Sequence, residues 1–277
     1  DRSAVLRHRA RAARIGGDIF LAREAAEGIT ERLAAMNRRF VHGLALEEYA
    51  TLVSGAGTWT QARWGDGDGL DIQPASFDLA VSILSLHHVN DLPGVLAQIR
   101  RALKPDGPFL AALFGGDTLH ELRDSFAVAE AATTGGISPR VAPFADVRDL
   151  GGLLQRAGFA LPVADVERTT VLYRDFGSLV HDLRSHGETS ALIERSRKTL
   201  SRATLAALRE HYSAHHAEPD GRLRVACVRL AVVAVVAAAI AGTLATEAVV
   251  LERNRLAGAL TEVIARVVVR HHRVHRS

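Results

Sequence analysis

Apolar positions along the chain change their spacing several times, and each change marks an element. Residues 3–14 and 18–36 read as helices. In the second, Phe20, Leu21, Ala25, Ile29 and Leu33 recur three and four apart and build one apolar face. Residues 41–75 are the least readable stretch, with frequent glycine, Trp59 and Trp64, and turn material at Asp66-Gly67-Asp68-Gly69. From Ser76 the pattern sharpens. Phe77 to Ile83 is a short apolar run of the buried parallel-strand kind. Leu92, Val95, Leu96, Ile99 and Leu103 mark an amphipathic helix. Lys104-Pro105-Asp106-Gly107 ends it, because Pro105 cannot continue a helix and Gly107 accepts a left-handed turn. Phe109 to Phe114 is the next buried strand, which completes a βαβ unit.

Downstream, Thr118-Leu119-His120-Glu121 has the form of a capping box opening a helix that runs to about Ala131. A helix over 146–157 stops at Gly158, a strand covers 161–173, helices cover 175–186 and 201–216, and 222–230 is a further strand. Strands alternating with helices predict an α/β fold with a doubly wound, mostly parallel sheet. Residues 230–246 hold no charge and are mostly Ala and Val, at the lower limit of a membrane span. The expectation is a helix over 230–265 that does not cross a bilayer. A packed or partner-facing helix and a segment that has lost its original reading frame are both open readings. The resulting division is an N-terminal helical segment (1–40), an α/β domain (41–230) and an Ala/Val-rich, basic tail (231–277).

Composition narrows the classes. With 277 residues, 48% hydrophobic and 23% charged, the chain is a globular protein of one large domain with an appendage. A net charge of +3 is no footprint for nucleic acid. Charge does gather at the ends, with Arg2, Arg7, Arg9, Arg11 and Arg14 at one and Arg266, Arg270, Arg273 and Arg276 at the other. These read as solvated ends, or as a peripheral contact with an anionic inner-membrane surface or an acidic partner. Cys227 is the single cysteine, which excludes an internal disulfide and a cysteine-built metal site and favours a reducing, cytoplasmic compartment. The first twenty residues are too charged for a secretory signal. The chain opens on Asp1 with Met36 as its only methionine, as expected of a trimmed or incomplete product.

Three runs carry a resemblance: Ser76-Phe77-Asp78-Leu79, Ser85-Leu86-His87-His88-Val89-Asn90-Asp91-Leu92 and Leu103-Lys104-Pro105-Asp106-Gly107. As a set they resemble the later half of class I, S-adenosylmethionine-dependent methyltransferases, which implies a Rossmann-like fold. More specific are Phe114-Gly115-Gly116-Asp117-Thr118-Leu119-His120-Glu121, Gly135-Gly136-Ile137-Ser138-Pro139, Pro143 to Gly151, Arg156-Ala157-Gly158-Phe159 and Gly187-Glu188-Thr189. This series is similar to the methyltransferase-like assembly factors of respiratory complex I, over roughly 1–40 and 66–225. The resemblance implies S-adenosyl-L-methionine as cofactor and a protein substrate, a respiratory complex I subunit. It also implies that methylation or arginine hydroxylation is the chemistry to consider. The sequence departs from the family after Arg39-Phe40: Val41 to Glu48 lacks the D-x-G-x-G-type loop that cradles the cofactor, and Gly55-Ala56-Gly57 is its only echo. The stretch from Phe40 to Ser76 is also too short for that loop, its helix and the next strand, so the cofactor-binding half is shortened.

Candidate site residues follow from both readings. Asp66 stands where the resemblance places an acid for the adenine amino group, with Gly67 offering its backbone, although Asp66 is equally a turn residue. Ser82, Ile83 and Leu84 end a strand on the side where open α/β sheets bind ligands. His87 follows, as a general base with a pKa near ~6.5 or as a packing residue beside the cleft. Gly115, Gly116 and Asp117 end the next strand as substrate-side candidates, or form a tight turn that caps the following helix. No metal site is expected: the sequence offers no convincing two-His-one-carboxylate spacing, and His271, His272 and His275 read as a solvated basic tail, with metal binding the less favoured alternative. Two functions remain, an S-adenosylmethionine-dependent methyltransferase-like protein acting on a protein side chain, and a non-catalytic assembly factor with a damaged cofactor cleft. A small-molecule carboxyl methyltransferase is a third. Losing three or four backbone contacts at about 0.5–1.5 kcal/mol each predicts cofactor binding on the order of a hundredfold weaker than in an intact relative.

Overall fold

The computed structural model describes residues 1–196, 198–236 and the backbone of 272–276. Two helices, α1 (Arg2–Ile15) and α2 (Phe20–Ala35), precede β1 (Phe40–Leu46), β2 (Ala56–Ala62) and β3 (Leu79–Ile83). The order continues with α3 (Leu92–Ala102), β4 (Pro108–Phe114), α4 (His120–Thr134), α5 (Val147–Arg156) and β5 (Phe159–Tyr173). Last come α6 (Phe176–Ser185), α7 (Arg202–His216), β6 (Leu223–Val236) and β7 (His272–Arg276). One seven-stranded sheet runs β2-β1-β3-β4-β6-β5-β7. All neighbours are parallel except β6, which is antiparallel to both β4 and β5. Core clusters fill both faces, one under α2, α4, α6 and α7 and the other under α3 and α5. The doubly wound, Rossmann-like α/β fold predicted from the alternation is thus the fold observed.

The β3–α3–β4 unit forms as its pattern predicts. Every residue of β3 and β4 is buried, and the two strands pair in parallel from Ala80↔Phe109 to Ile83↔Ala112. In α3, Asp91 caps the first turn by accepting from Gly94 N at 2.9 Å, and Val95, Leu96, Ile99 and Ala102 form the buried face. The turn after α3 differs in one detail: Asp106 (φ 61), not Gly107, takes the left-handed conformation. Gly107 is needed instead because a side chain would meet Lys104 O at 2.9 Å. Asp78 ties this unit to the rest of the sheet, accepting from Val41 N and His42 N and pairing with Lys104 at 2.8 Å. Partial burial works against its charge, but the Lys104 ammonium and the two amides hold its carboxyl below the usual value.

Three expectations are corrected. Residues 41–75 hold two strands, β1 and β2, joined through residues 47–55 and a 3-10 turn (Tyr49–Leu52) in place of a crossover helix. Helix α2 covers that face instead, packing on the 3-10 turn, β3 and β4. Residues 230–236 belong to β6 and are not helical, because an all-buried Val/Ala run suits a central strand flanked on both edges. Residues 237–271, and with them the rest of the expected helix and the contacts of Arg266 and Arg270, lie outside the described residues. The capping box is the third. Leu119 takes φ 57 ahead of α4, and Thr118 and Glu121 turn to β6: the Thr118 hydroxyl bonds Val228 N and O, and both Glu121 oxygens accept from Ala226 N. Among the described residues, no helix is long and apolar enough to cross a membrane.

Candidate functional site

The strand order reverses between β1 and β3, and in open α/β sheets the crevice at the carboxyl ends of such a pair binds the ligand. Here Glu47 fills it. This residue follows β1 directly, has φ 66 and is 2% exposed. Its carboxylate pairs with Arg2 at 2.6 Å and Arg9 at 2.5 Å, and accepts from Trp64 N at 3.1 Å. Both arginines come from α1, so that helix lies across the carboxyl end of the sheet. The glycines of β1 and of the 55–57 run present no bare backbone to the crevice. A side chain on Gly43 would strike the Trp59 ring at 2.6 Å, Gly55 (φ 135) packs on Leu33, and Gly57 packs on Val41 O. The residues present do not fit the methionine end of S-adenosylmethionine at this position.

The predicted residues at the end of β3 sit one step further along. The Ser82 hydroxyl is fully buried and bonds the Ser85 hydroxyl at 2.7 Å. Ile83 and Leu84 are buried, and Leu84 adopts φ 44 while donating its N–H to Ala112 O. That left-handed step turns the chain into a 3-10 turn (Leu86–His88), which delivers His87 and His88 to a cavity. The side chain of Asp66 lies outside the described residues, and Gly67 (φ 72) is exposed with open space around it. Asp68, not singled out by the sequence, carries the structural role in this repeat. It is 5% exposed and accepts from Asn90 N at 2.7 Å and Asp91 N at 3.0 Å, which fixes the turn beyond His88. On the next strand, Gly115 makes room for Leu230, whose side chain would lie 2.5 Å from any Cβ. Gly116 (φ 48) borders a smaller pocket of about 530 Å³ with Phe126 and Phe144, and Asp117 is exposed.

The cavity beside His87 has a volume of about 970 Å³ and is walled by α4, α6, α7 and the segments around residues 140–144 and 188–194. Leu122, Phe126, Phe144, Leu183 and Leu208 give it an apolar wall. The His87 ring lies against Phe114 and Phe144, with centroids 5.0 and 5.9 Å away. At its polar end stands Glu188, which the sequence reasoning missed as a site residue. Gly187 (φ 75) explains how it gets there. Its N–H bonds Arg184 O while Glu188 N bonds Leu183 O, the Schellman pattern that closes α6 and turns the next side chain inward. Glu188 Oε2 lies 3.0 Å from His87 Nε2 and 3.2 Å from His88 Nε2. Burial, with the neighbouring His88 second, lowers the His87 pKa to about 4, so the ring is neutral near pH 7. Burial opposes the Glu188 charge, yet the two imidazoles hold its carboxyl well below the usual range. No signal in the sequence joins residues 87 and 188 beyond the Gly187-Glu188-Thr189 run itself.

The profile described as "Methyltransferase domain" matches residues 27–111. Mitochondrial arginine-hydroxylase NDUFAF5 of Mus musculus is 45% identical over 158 residues, covering 57% of this chain and 46% of that protein. Malonyl-[acyl-carrier protein] O-methyltransferase of Xylella fastidiosa is 40% identical over 149 residues, covering 54% of this chain and 48% of that protein. Among solved structures, the YcgJ protein of a Bacillus species aligns with TM-score 0.47 and 11% identity, over 77% of this chain and 99% of that one. The chain thus spans about half the length of the curated relatives it matches. Over the residues that these matches and the motifs share, the chain is similar to a methyltransferase domain and to the mitochondrial arginine-hydroxylase NDUFAF5 proteins.

Proposed function

We propose that this chain is a methyltransferase-like assembly factor for respiratory complex I that receives a protein side chain in the cavity beside His87 and binds S-adenosylmethionine weakly. The observation that carries this reading is the Arg2–Glu47–Arg9 ion pair, which occupies the crevice where the fold family would seat its cofactor. A buried carboxylate held by two guanidiniums is not readily displaced, since exposing one charge by removing its partners costs about 3–5 kcal/mol. The cavity supports the second half of the reading. Its apolar wall suits the methylene stem of an extended side chain, and its polar end presents Glu188. Resemblance to proteins named as arginine-hydroxylases supports a protein substrate.

The test is isothermal titration of the full chain with S-adenosylmethionine and S-adenosylhomocysteine, paired with complementation of complex I assembly in cells lacking the resident relative. The expected result is affinity on the order of a hundredfold below that of an intact relative, since three or four backbone contacts of about 0.5–1.5 kcal/mol are missing, together with restored assembly. Submicromolar binding would overturn the first half, and failure to restore assembly the second.

A further inference from the structure

We propose that His87, His88 and Glu188 bind one divalent first-row transition metal ion at the polar end of the cavity. The three residues are the one group of this kind among the described residues, with ligand atoms all within 4.8 Å of one another. Zinc-type bonds of about 2.0–2.2 Å, set at angles between octahedral and tetrahedral, leave neighbouring ligand atoms about 2.8–3.6 Å apart. The observed separations of Glu188 Oε2 from the two imidazole Nε2 atoms, 3.0 and 3.2 Å, fall in that window. In the metal-free arrangement each Nε2 carries a proton and donates it to the carboxylate. A cation replaces those two protons, with the two imidazoles drawing together as far as shared ligation requires.

Chemistry and access point the same way. Two neutral imidazoles and a carboxylate are the donor set of non-haem iron(II) centres and of several zinc hydrolases, which leave further coordination positions free. Here the free positions face the cavity, since all three residues line it. Side-chain exposure of 3%, 12% and 14% for His87, His88 and Glu188 keeps bulk water from competing on all sides. One feature limits the affinity. Metal at Nε2 moves the His87 proton to Nδ1, which is buried and has no hydrogen-bond partner among the described residues. Leaving a buried donor unsatisfied weakens binding by roughly ten- to a hundredfold, so a micromolar rather than a nanomolar site is expected.

This inference rests on the same cavity as the proposed function, but its test needs neither S-adenosylmethionine nor a protein partner, so either can fail alone. The full chain, stripped with a chelator, is titrated with Zn²⁺ and Co²⁺, and with Fe²⁺ without oxygen, with bound metal counted by elemental analysis. One equivalent per chain with low-micromolar affinity is expected. Glu188→Gln, which keeps the size and an acceptor oxygen, should lower affinity at least tenfold without changing the circular dichroism spectrum. His88→Ala serves the same purpose if Glu188→Gln does not fold. A competing site is the stacked pair His211 and His215 on α7, whose rings lie 4.1 Å apart. The double variant His211→Ala/His215→Ala should retain the equivalent. Absence of binding, binding that Glu188→Gln and His88→Ala leave unchanged, or binding that is lost with the α7 pair would each overturn the proposal.

Discussion

His87 takes up a proton only near pH 4 in the folded protein, whereas the same ring in the unfolded chain does so near the ordinary value of 6.5. The unfolded state therefore binds more protons between those values, and stability is full above pH 6.5 and declines as pH falls toward 4. Between pH 7 and pH 5 the loss should be roughly 2 kcal/mol, at 1.36 kcal/mol per pKa unit. Glu188, whose carboxyl is also depressed, adds a loss of the same sign at lower pH. Urea unfolding at the two pH values measures the effect, and His87→Phe, which keeps an aromatic ring against Phe114 and Phe144, should flatten it. A slope unchanged in that variant would assign the dependence to another group. At this scale the sequence was half legible. Ser82, Ile83, Leu84 and His87 do lie where β3 ends, because strand length and parallel pairing follow from local pattern. Which of them face a cavity was hidden, since it depends on the left-handed turn at Leu84 and on packing from distant helices. Glu188 was out of reach because 101 positions separate it from His87.

Among the elements, the start of α4 shows how one short pattern serves two physical ends. Thr118-Leu119-His120-Glu121 satisfies the capping-box rule, yet the left-handed Leu119 swings both polar side chains onto β6. There they serve as substitutes for a neighbouring strand, because β6 runs beyond the end of β4 at Phe114↔Arg229. Glu121 is fully buried and is the acceptor for Ala226 N. Glu121→Ala should therefore cost about 1–3 kcal/mol for an unsatisfied buried amide, with Glu121→Gln nearer to neutral. Chemical denaturation of the two variants separates this from a surface cap, whose loss through either change would be small. The Ala/Val run from Leu230 misled for a related reason. Alanine favours helices in isolation, but the β-branched valines and two pairing edges decide in favour of strand, as tertiary context routinely does. Conversely α3, α5, α6 and α7 lie within one residue of the ranges that their periodicity and caps predict. Short β2, with its largely exposed pattern, left little periodic signal to find.

For the whole molecule, the placement of β6 sets the order in which the fold can be completed. Its residues 223–236 enter between β4 and β5, pairing Pro108↔Val235 on one side and Tyr173↔Leu223 on the other. No local pattern in the chain announces that insertion. Its consequence belongs to synthesis on the ribosome, where the N-terminal part emerges first. Until the last of these residues leaves the exit tunnel, the Phe109 to Phe114 edge of β4 stands unpaired, apolar and ready to template a foreign strand. A chain ending at residue 222 should accordingly be recovered in aggregates, with the β-sheet content to match, whereas one ending at residue 236, which uncovers only the five β5 residues paired with β7, should aggregate far less. Velocity sedimentation of the two decides it, and a monodisperse shorter chain would refute the argument. A nascent chain of this design needs a holdase that keeps its central edge covered while the chain from residue 115 to residue 236 is made, and that requirement is written in strand order alone.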